Sequence, residues 1–354
     1  MIPEIGPVLA KVLVSYCGSA EGVFMADKNA LLKIPQIGPA KVSKIISADV
    51  LNRTDKQLEY LSNHDSKAVT FHDDGYPQRL KHFESSPLVL YYKGDPNLNH
   101  KRTVAIVGTR NPTEFGKINC EKIIDGLKGY DVQIISGLAF GIDTCAHKKC
   151  IDANIETIGV MGHGLDILYP AQNRKLVSQM IEQDGGVLTE FPIETRPDRE
   201  NFPMRNRIIA SMCDVIVVVE SKNRGGSIIT AEFANKYNKD VFAVPGRITD
   251  EVSQGCNRLI KTHKAHLLES AADISYIMRW EEIDNKKVIQ KSLFLELSDD
   301  EQKIVDIIKA QESITIDELN HLLKIPHSNL ASTLLTLEFQ GAVRSLPGKK
   351  YILS

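Results

Sequence analysis

The 354-residue sequence has no paired cysteines. Its six, Cys17, Cys120, Cys145, Cys150, Cys213 and Cys256, are scattered without a Cys-x-x-Cys spacing, and most fall in apolar runs. That argues against a disulfide scaffold and for buried free thiols in a reducing cytoplasm. Positive charge is not in excess either. The formal net charge of −2 argues against a globally basic nucleic-acid coat, although only local arrangement decides whether a groove steers an anion. No apolar run approaches the length of a membrane span. No basic region followed by an apolar stretch marks the N-terminus, so neither a membrane span nor a signal peptide is expected. No repeat of 20–50 residues is present. The phosphate-binding pattern Gly-x-x-x-x-Gly-Lys-[Ser/Thr] is missing, which argues against a P-loop ATPase.

What is present is enough chain for two or three domains with separate cores. Residues 1–62 read as a domain of short helices. Within it, "LLKIPQIGPAKVSKII" (Leu31–Ile46) sets a glycine turn before an apolar-periodic segment, the pattern of a helix-hairpin-helix. Turn amides with Lys41 and Lys44 suit a phosphate, but a plain packing module is the preferred reading, since the segment is nearly neutral and the hairpin single. Residues 63–279 form the second domain. One strand is expected at Leu88–Lys93, between turn signals. Apolar runs then recur at Val104–Val107, Val132–Ile135, Thr157–Met161, Val187–Phe191, Val215–Val219 and Val241–Val244, separated by helical stretches. This alternation predicts an α/β fold with a parallel sheet covered on both faces. Residues 280–297 are charged and irregular and read as a linker. Residues 298–354 open with a capping signal, Ser298 followed by Glu301. Two further helices, Ile316–Leu323 and Asn329–Gln340, and a hairpin then give a winged-helix order.

Glycine, arginine and asparagine concentrate in the six segments that follow the strands of the second domain: "GTRNP", "SGLAFGIDTCAH", "GHGLDILYPAQNRKL", "FPIETRPDRENFPMRNR", "ESKNRGGSIITAE" and "PGRI". In an open parallel sheet these loops share the carboxyl edge, where ligands bind. Their chemistry points to phosphate. Gly108 and Gly137 open the first two loops, and Gly108 permits close backbone approach. Arg110 offers a bidentate fork. Arg174 and Lys175 follow the "YPAQN" turn. Arg196, Arg199, Arg205 and Arg207 crowd into twelve residues with Phe202 and Asn206. Lys222 and Arg224 precede the helix start Gly225–Gly226–Ser227. Such a ring neutralises a run of phosphates while Phe202 stacks a base. For Arg205 and Arg207 the competing reading is surface pairing with Glu200 or Asp198, which the crowding of four arginines disfavours. Asp143, Asp166 and Glu190 suit acid–base or metal roles, or equally helix capping and ion pairing. His147 and His163 lie on different loops without ligand spacing. No catalytic residue, metal or cofactor is assigned.

These motifs resemble the DprA/Smf family of bacterial DNA-processing proteins, through "IVGTR", "SGLAFGIDTCAH", "LDILYPAQNRKL", "FPMRNRIIASMCDVIVVVE", "GGSIITAEFA" and "VFAVPG" in that order. The resemblance implies an extended Rossmann-like domain flanked by a helix-hairpin-helix/SAM-like module and a winged helix. It also implies single-stranded DNA binding, homodimerisation, and loading of the RecA recombinase during natural transformation. It places the DNA-contacting basic residue at Arg110, the pocket aromatic at Phe202, a basic position at Arg199, and the Arg-Asn-Arg motif at Arg205, Asn206 and Arg207. Phe140 stands where the family often has a basic residue. The segment 298–354 carries six Lys/Arg against eight Asp/Glu, so the winged helix is expected to be a partner-binding or weak DNA module. The rival reading is a nucleotide-processing enzyme of the nucleoside-monophosphate phosphoribohydrolase type. "GGSIITAE" approximates its Gly-Gly-x-Gly-Thr-x-x-Glu motif with Glu232 in place, but Ile228 replaces the third glycine and is expected to obstruct a phosphate.

Overall fold

The computed structural model describes residues 2, 4–282, 298–311, 314–323, 325–339, 342–346 and 350–353. The chain divides into two compact units, residues 1–283 and 284–354.

The first unit is built on β1 (Ser66–Thr70), β2 (Val89–Gly94), β3 (Thr103–Val107), β4 (Gln133–Ser136), β5 (Thr157–Val160), β6 (Gly186–Thr189), β7 (Val215–Val218), β8 (Asp240–Ala243) and β9 (His266–Leu267). They form one sheet in the order β1-β2-β6-β5-β4-β3-β7-β8-β9. From β6 to β9 every pairing is parallel; β1 and β2 add an antiparallel edge. The sheet is therefore mostly parallel and Rossmann-like. β3 to β7 are buried at every residue, because alternate side chains enter helices on opposite faces. Val104, Ile106, Val215 and Val217 meet Cys120, Ile124 and Leu127 of the helix Glu114–Leu127. Ala105, Val107, Ile216 and Val218 meet Ile208, Ile209 and Met212 of the helix Asn201–Met212. The apolar segment Val215–Tyr237 largely completes this core: β7 is fully buried, and Tyr237 lies 4.1 Å from the Phe83 ring.

The helices Pro7–Cys17, Ala20–Met25, Lys28–Leu32 and Pro39–Ile46 enclose a small core around Leu13, Leu31, Val42 and Ile45. They belong to the same unit as the sheet, to which Lys11 Nζ fastens them by donating to Phe83 O, Glu84 O and Ser86 Oγ. Lys41 donates to Gln36 O and Lys44 pairs with Glu4, so both hairpin lysines have protein partners.

The second unit holds the helices Asp299–Gln311, Ile316–Leu323 and His327–Phe339 and a three-stranded sheet, β10 (Ile314–Thr315), β11 (Val343–Leu346) and β12 (Lys350–Leu353), in the order β10-β12-β11. Its core centres on Ile304, Ile308, Leu319, Leu330 and Leu334. Ser298 and Glu301 form the reciprocal cap expected of them. Of the expected linker, residues 283–297 lie outside the described residues. Among the described residues no helix is long and apolar enough to cross a membrane.

Candidate nucleic-acid interface

The chain leaves β3 toward β4, β5 and β6 on one side, then returns to β7 and continues to β8 and β9 on the other. The loops after β3 and β7 therefore diverge, and a crevice opens at the carboxyl ends of those two strands. A cleft of about 300 Å³ occupies it, lined among others by Gly108, Arg110, Asp143, Phe202, Arg205, Asn206, Lys222, Arg224, Gly226 and Ser227. A second, smaller recess continues past Phe202 and Arg205 to Gly137, Phe140, Gly162 and Tyr169. Five of the six loops thus meet at one rim. The sixth, "PGRI", does not line either recess; its Gly246 exchanges backbone hydrogen bonds with the Asn257 side chain instead.

Phe202 is the centre of the site. The guanidinium carbon of Arg110 lies 5.3 Å from its ring centroid and that of Arg205 lies 5.8 Å away, both within cation–π range. Arg110 is exposed, whereas Arg205 is buried and built into the floor. Its Nη1 donates to the carbonyls of Gly137 and Val160, and its Nε donates to Asn206 Oδ1. Asn206 Nδ2 in turn donates to Gly226 O, 3.2 Å away, tying this floor to the start of the helix Gly226–Lys236. Gly225 is the N-cap of that helix and brings no capping side chain; Ile228 N donates to Gly225 O, and the amides of Gly226 and Ser227 with the positive dipole end are presented to an anion. A side chain on Gly226 would meet nothing nearer than Asn206 Nδ2 at 3.9 Å; a ligand has room there.

Asp143 is the acidic group in this basic cleft. Burial pushes its carboxyl up to about 6, against the Arg205 charge and the amides of Ala139 and Gly137. Burial likewise draws Arg205 down to about 10, with Asp143 opposing. The cleft therefore carries the charges of Arg110, Arg205, Lys222 and Arg224 against one carboxyl, with Lys222 also held by Glu251 at 2.8 Å.

Several residues stand elsewhere than their sequence suggests. Arg207 does not face the cleft. It is buried on the opposite side of its helix in an ion pair with Glu190, because residues two apart on a helix point in nearly opposite directions. Arg174, Lys175, Arg196 and Arg199 are exposed and do not line the cleft. Gly108 lines it, but the space its side chain would take belongs to Ile142, 2.5 Å from the position of a Cβ; this glycine lets the helix Ile142–Ala153 close on β3. Gly137 is constrained likewise, by the Arg205 guanidinium and the Asp143 carboxylate. Ile228 obstructs nothing: its side chain is buried in the sheet core. Glu232 is exposed and is not part of the cleft. Asp166 accepts from the Glu194 amide. His147 is buried, with Nδ1 donating to Thr157 Oγ1, and burial lowers it to about 3. Among the described residues no cluster of His, Cys, Asp or Glu is placed to hold a metal ion.

Two supporting residues were not singled out from sequence. Glu220, two residues after the end of β7, accepts from Thr113 N and Thr113 Oγ1, while its own carbonyl accepts from Thr109 N. It brackets the loop that carries Arg110. A charged residue ending a fully apolar strand is the signal that marks it. Asn173 is buried and donates to Leu138 O and Thr144 Oγ1, both at 2.9 Å, joining the loops after β4 and β5.

The profile of the DNA recombination-mediator protein A family matches residues 67–279, more than half of the chain and all of the cleft. The chain belongs to the DprA/Smf family. Profiles of the DprA winged helix domain and of a SAM-like helix-hairpin-helix tandem match residues 295–349 and 1–48. Protein Smf of Synechocystis sp. is 32% identical over 99% of this chain and 96% of its own length. DNA processing protein DprA of Streptococcus pneumoniae is 43% identical over 57% of this chain and 71% of its own. The crystal structure of that DprA superimposes with a TM-score of 0.65 at 33% identity, covering 79% of this chain and 95% of the other. DNA processing protein A of Helicobacter pylori, described with a single-stranded DNA binding mode, gives a TM-score of 0.55 at 28% identity over 61% and 98%.

Proposed function

We propose that this DprA/Smf member is a single-stranded DNA-binding recombination mediator that protects incoming DNA and loads the RecA recombinase onto it during natural transformation. It acts as a homodimer in the cytoplasm and without an enzymatic step. The observation that carries the reading is the Phe202 ring with the guanidinium carbons of Arg110 and Arg205 at 5.3 and 5.8 Å from its centroid, beside an uncapped helix start. An aromatic face takes an unpaired base of any identity, and the cations and amides take the neighbouring phosphates. In a duplex the base faces are occupied by stacking and cannot reach Phe202. The family membership and the single-stranded DNA binding of the Helicobacter pylori relative support the same ligand.

Arg110, Arg205, Asn206, Gly226 and Ser227 act inside the cleft, with Lys222 and Arg224 at its rim. Arg174, Lys175 and Arg199 take flanking phosphates outside it. The winged helix is a partner-binding or weak DNA module. The phosphoribohydrolase reading has less support, since Glu232 lies off the cleft; incubation with nucleoside monophosphates should release no free base.

Fluorescence anisotropy with single- and double-stranded oligonucleotides across a salt series tests the proposal. The single strand should bind more tightly, with steep salt dependence and little sequence preference. Arg110→Ala should weaken binding and reduce the salt slope by about 0.7, the value of one phosphate contact on a single strand. Phe202→Ala should cost about 1–3 kcal/mol with the slope unchanged. An Arg110→Ala protein with wild-type affinity and slope would remove Arg110 from the site. Sizing of the protein and RecA filament assembly on the bound strand test the dimer and the loading step.

A further inference from the structure

Beyond Phe202, two large aromatic side chains face solvent at the same rim. Phe140 is 41% exposed and Tyr169 is 43% exposed. Both line the recess that continues from Phe202 and Arg205. The Tyr169 and Phe202 ring centroids are 6.3 Å apart with their planes inclined by 39°. Exposed aromatics are unremarkable singly. Three lining one recess, together with Arg110 and Arg205, put aromatic rings and cations on the same rim.

The backbone beneath these rings is held firmly. His163, in the recess, receives a hydrogen bond from Thr189 Oγ1 to its carbonyl at 2.8 Å. After Tyr169, Pro170 O accepts from Asn173 N at 3.1 Å, and the Asn173 side chain bonds to Leu138 and Thr144. Phe140 precedes Gly141, whose φ of +82° suits glycine, and Ile142 N donates to Thr109 O at 3.1 Å. Phe140 is thereby fixed next to the loop that carries Arg110. A ring on an anchored loop loses little freedom when a base stacks on it.

We propose that Tyr169, flanked by Phe140, is a second stacking platform that receives the base next to the one on Phe202. With centroids 6.3 Å apart and planes inclined by 39°, the two rings are tilted rather than stacked on one another, so each is a separate platform within reach of one short stretch of strand. The ligand class is two successive unpaired nucleotides, without base identity, since every base has a π face to stack on a ring. This inference rests on the single-strand reading above and extends it from one base to two.

The test measures binding of wild type, Tyr169→Ala, Phe140→Ala and Tyr169→Trp to a thymidine 20-mer and to an abasic deoxyribose-phosphate strand of equal length. Tyr169→Ala should weaken binding to the thymidine strand by between about 5- and 150-fold, the equivalent of one lost stack. Phe140→Ala should weaken it less, and Tyr169→Trp should retain wild-type affinity. None of the variants should differ from wild type on the abasic strand or in salt slope. Wild-type affinity of Tyr169→Ala for the thymidine strand, or an equal loss on both strands, would overturn the second platform and leave Phe202 and Arg110 untouched. Failure of the wild-type protein to bind the thymidine strand at all would overturn the single-strand reading, and the platform with it.

Discussion

Arg207 is buried in an ion pair with Glu190, and one substitution tests whether it stabilises the fold or binds DNA. Its side chain is 9% exposed and that of its partner Glu190 only 2%. The second carboxylate oxygen of Glu190 is buried without a hydrogen-bond partner, so the Arg207 guanidinium is the main group offsetting a buried charge. Arg207→Met keeps most of the volume and removes the cation. Breaking a buried pair from one side costs about 3–5 kcal/mol. At roughly 2–4 °C per kcal/mol for a unit of this size, the sheet unit should melt about 6–20 °C lower. The deficit should depend on pH in a definite direction. Burial holds the Glu190 carboxyl above the ordinary carboxylate range, with Arg207 opposing. The folded state therefore binds this proton more firmly than the unfolded chain does, and the site loses stability as pH rises from the unfolded value through the folded one. Without Arg207 the carboxyl rises further, so the deficit should be greatest near pH 8 and shrink toward pH 5. The double variant Arg207→Met/Glu190→Gln should recover much of the loss, because it removes both charges together. Thermal melts followed by circular dichroism at the two pH values, with single-strand affinity measured well below the transition, read all three effects. If Arg207→Met melted like wild type but lost single-strand binding, Arg207 would belong to the cleft and the burial argument would fail.

Asp143 should make the cleft pH-sensitive: with its carboxyl pushed up to about 6, protonation removes the opposing charge, so single-strand affinity should rise between pH 7.5 and 5.5. Asp143→Asn should flatten that profile, and an unchanged profile in the variant would exclude Asp143 as its source. Glu220→Ala strips the acceptors from Thr113 and should cost about 1–3 kcal/mol of stability together with a loss of single-strand affinity. Added to Arg110→Ala, it should cause little further loss of affinity if Glu220 acts by placing Arg110; fully additive losses would show that it does not.

The sheet was legible because its central strands are buried on both faces and so write continuous apolar runs; the seven expected strands all exist, within a residue or two of their expected ends. The two that were missed in this sheet leave no such trace. β1 buries only Ser66 and Val69 of its five residues, three apart and so without alternation, and β9 is two exposed residues, His266 and Leu267. The loop rim was legible for a related reason: glycine, arginine and asparagine do not belong in those strands, so they collect where the strands end. Side-chain direction was harder to read. Four arginines in twelve residues looked like one basic cluster, yet Arg196 and Arg199 stay exposed in the loop before the helix, and the helix from Asn201 separates Arg205 from Arg207 by phase. Phe202 and Arg205 stand three apart and share a face; Arg207 stands two from Arg205 and is carried to the other side. With the helix start placed at Asn201, that separation follows from the sequence. Its partner does not, because Glu190 lies seventeen residues away at the end of a different element. Arg110 comes from farther still. Its approach to Phe202 depends on the β3–β7 crevice, so the contact central to the proposed function is the one that required the sheet order, while the Phe202–Arg205 contact required only the helix.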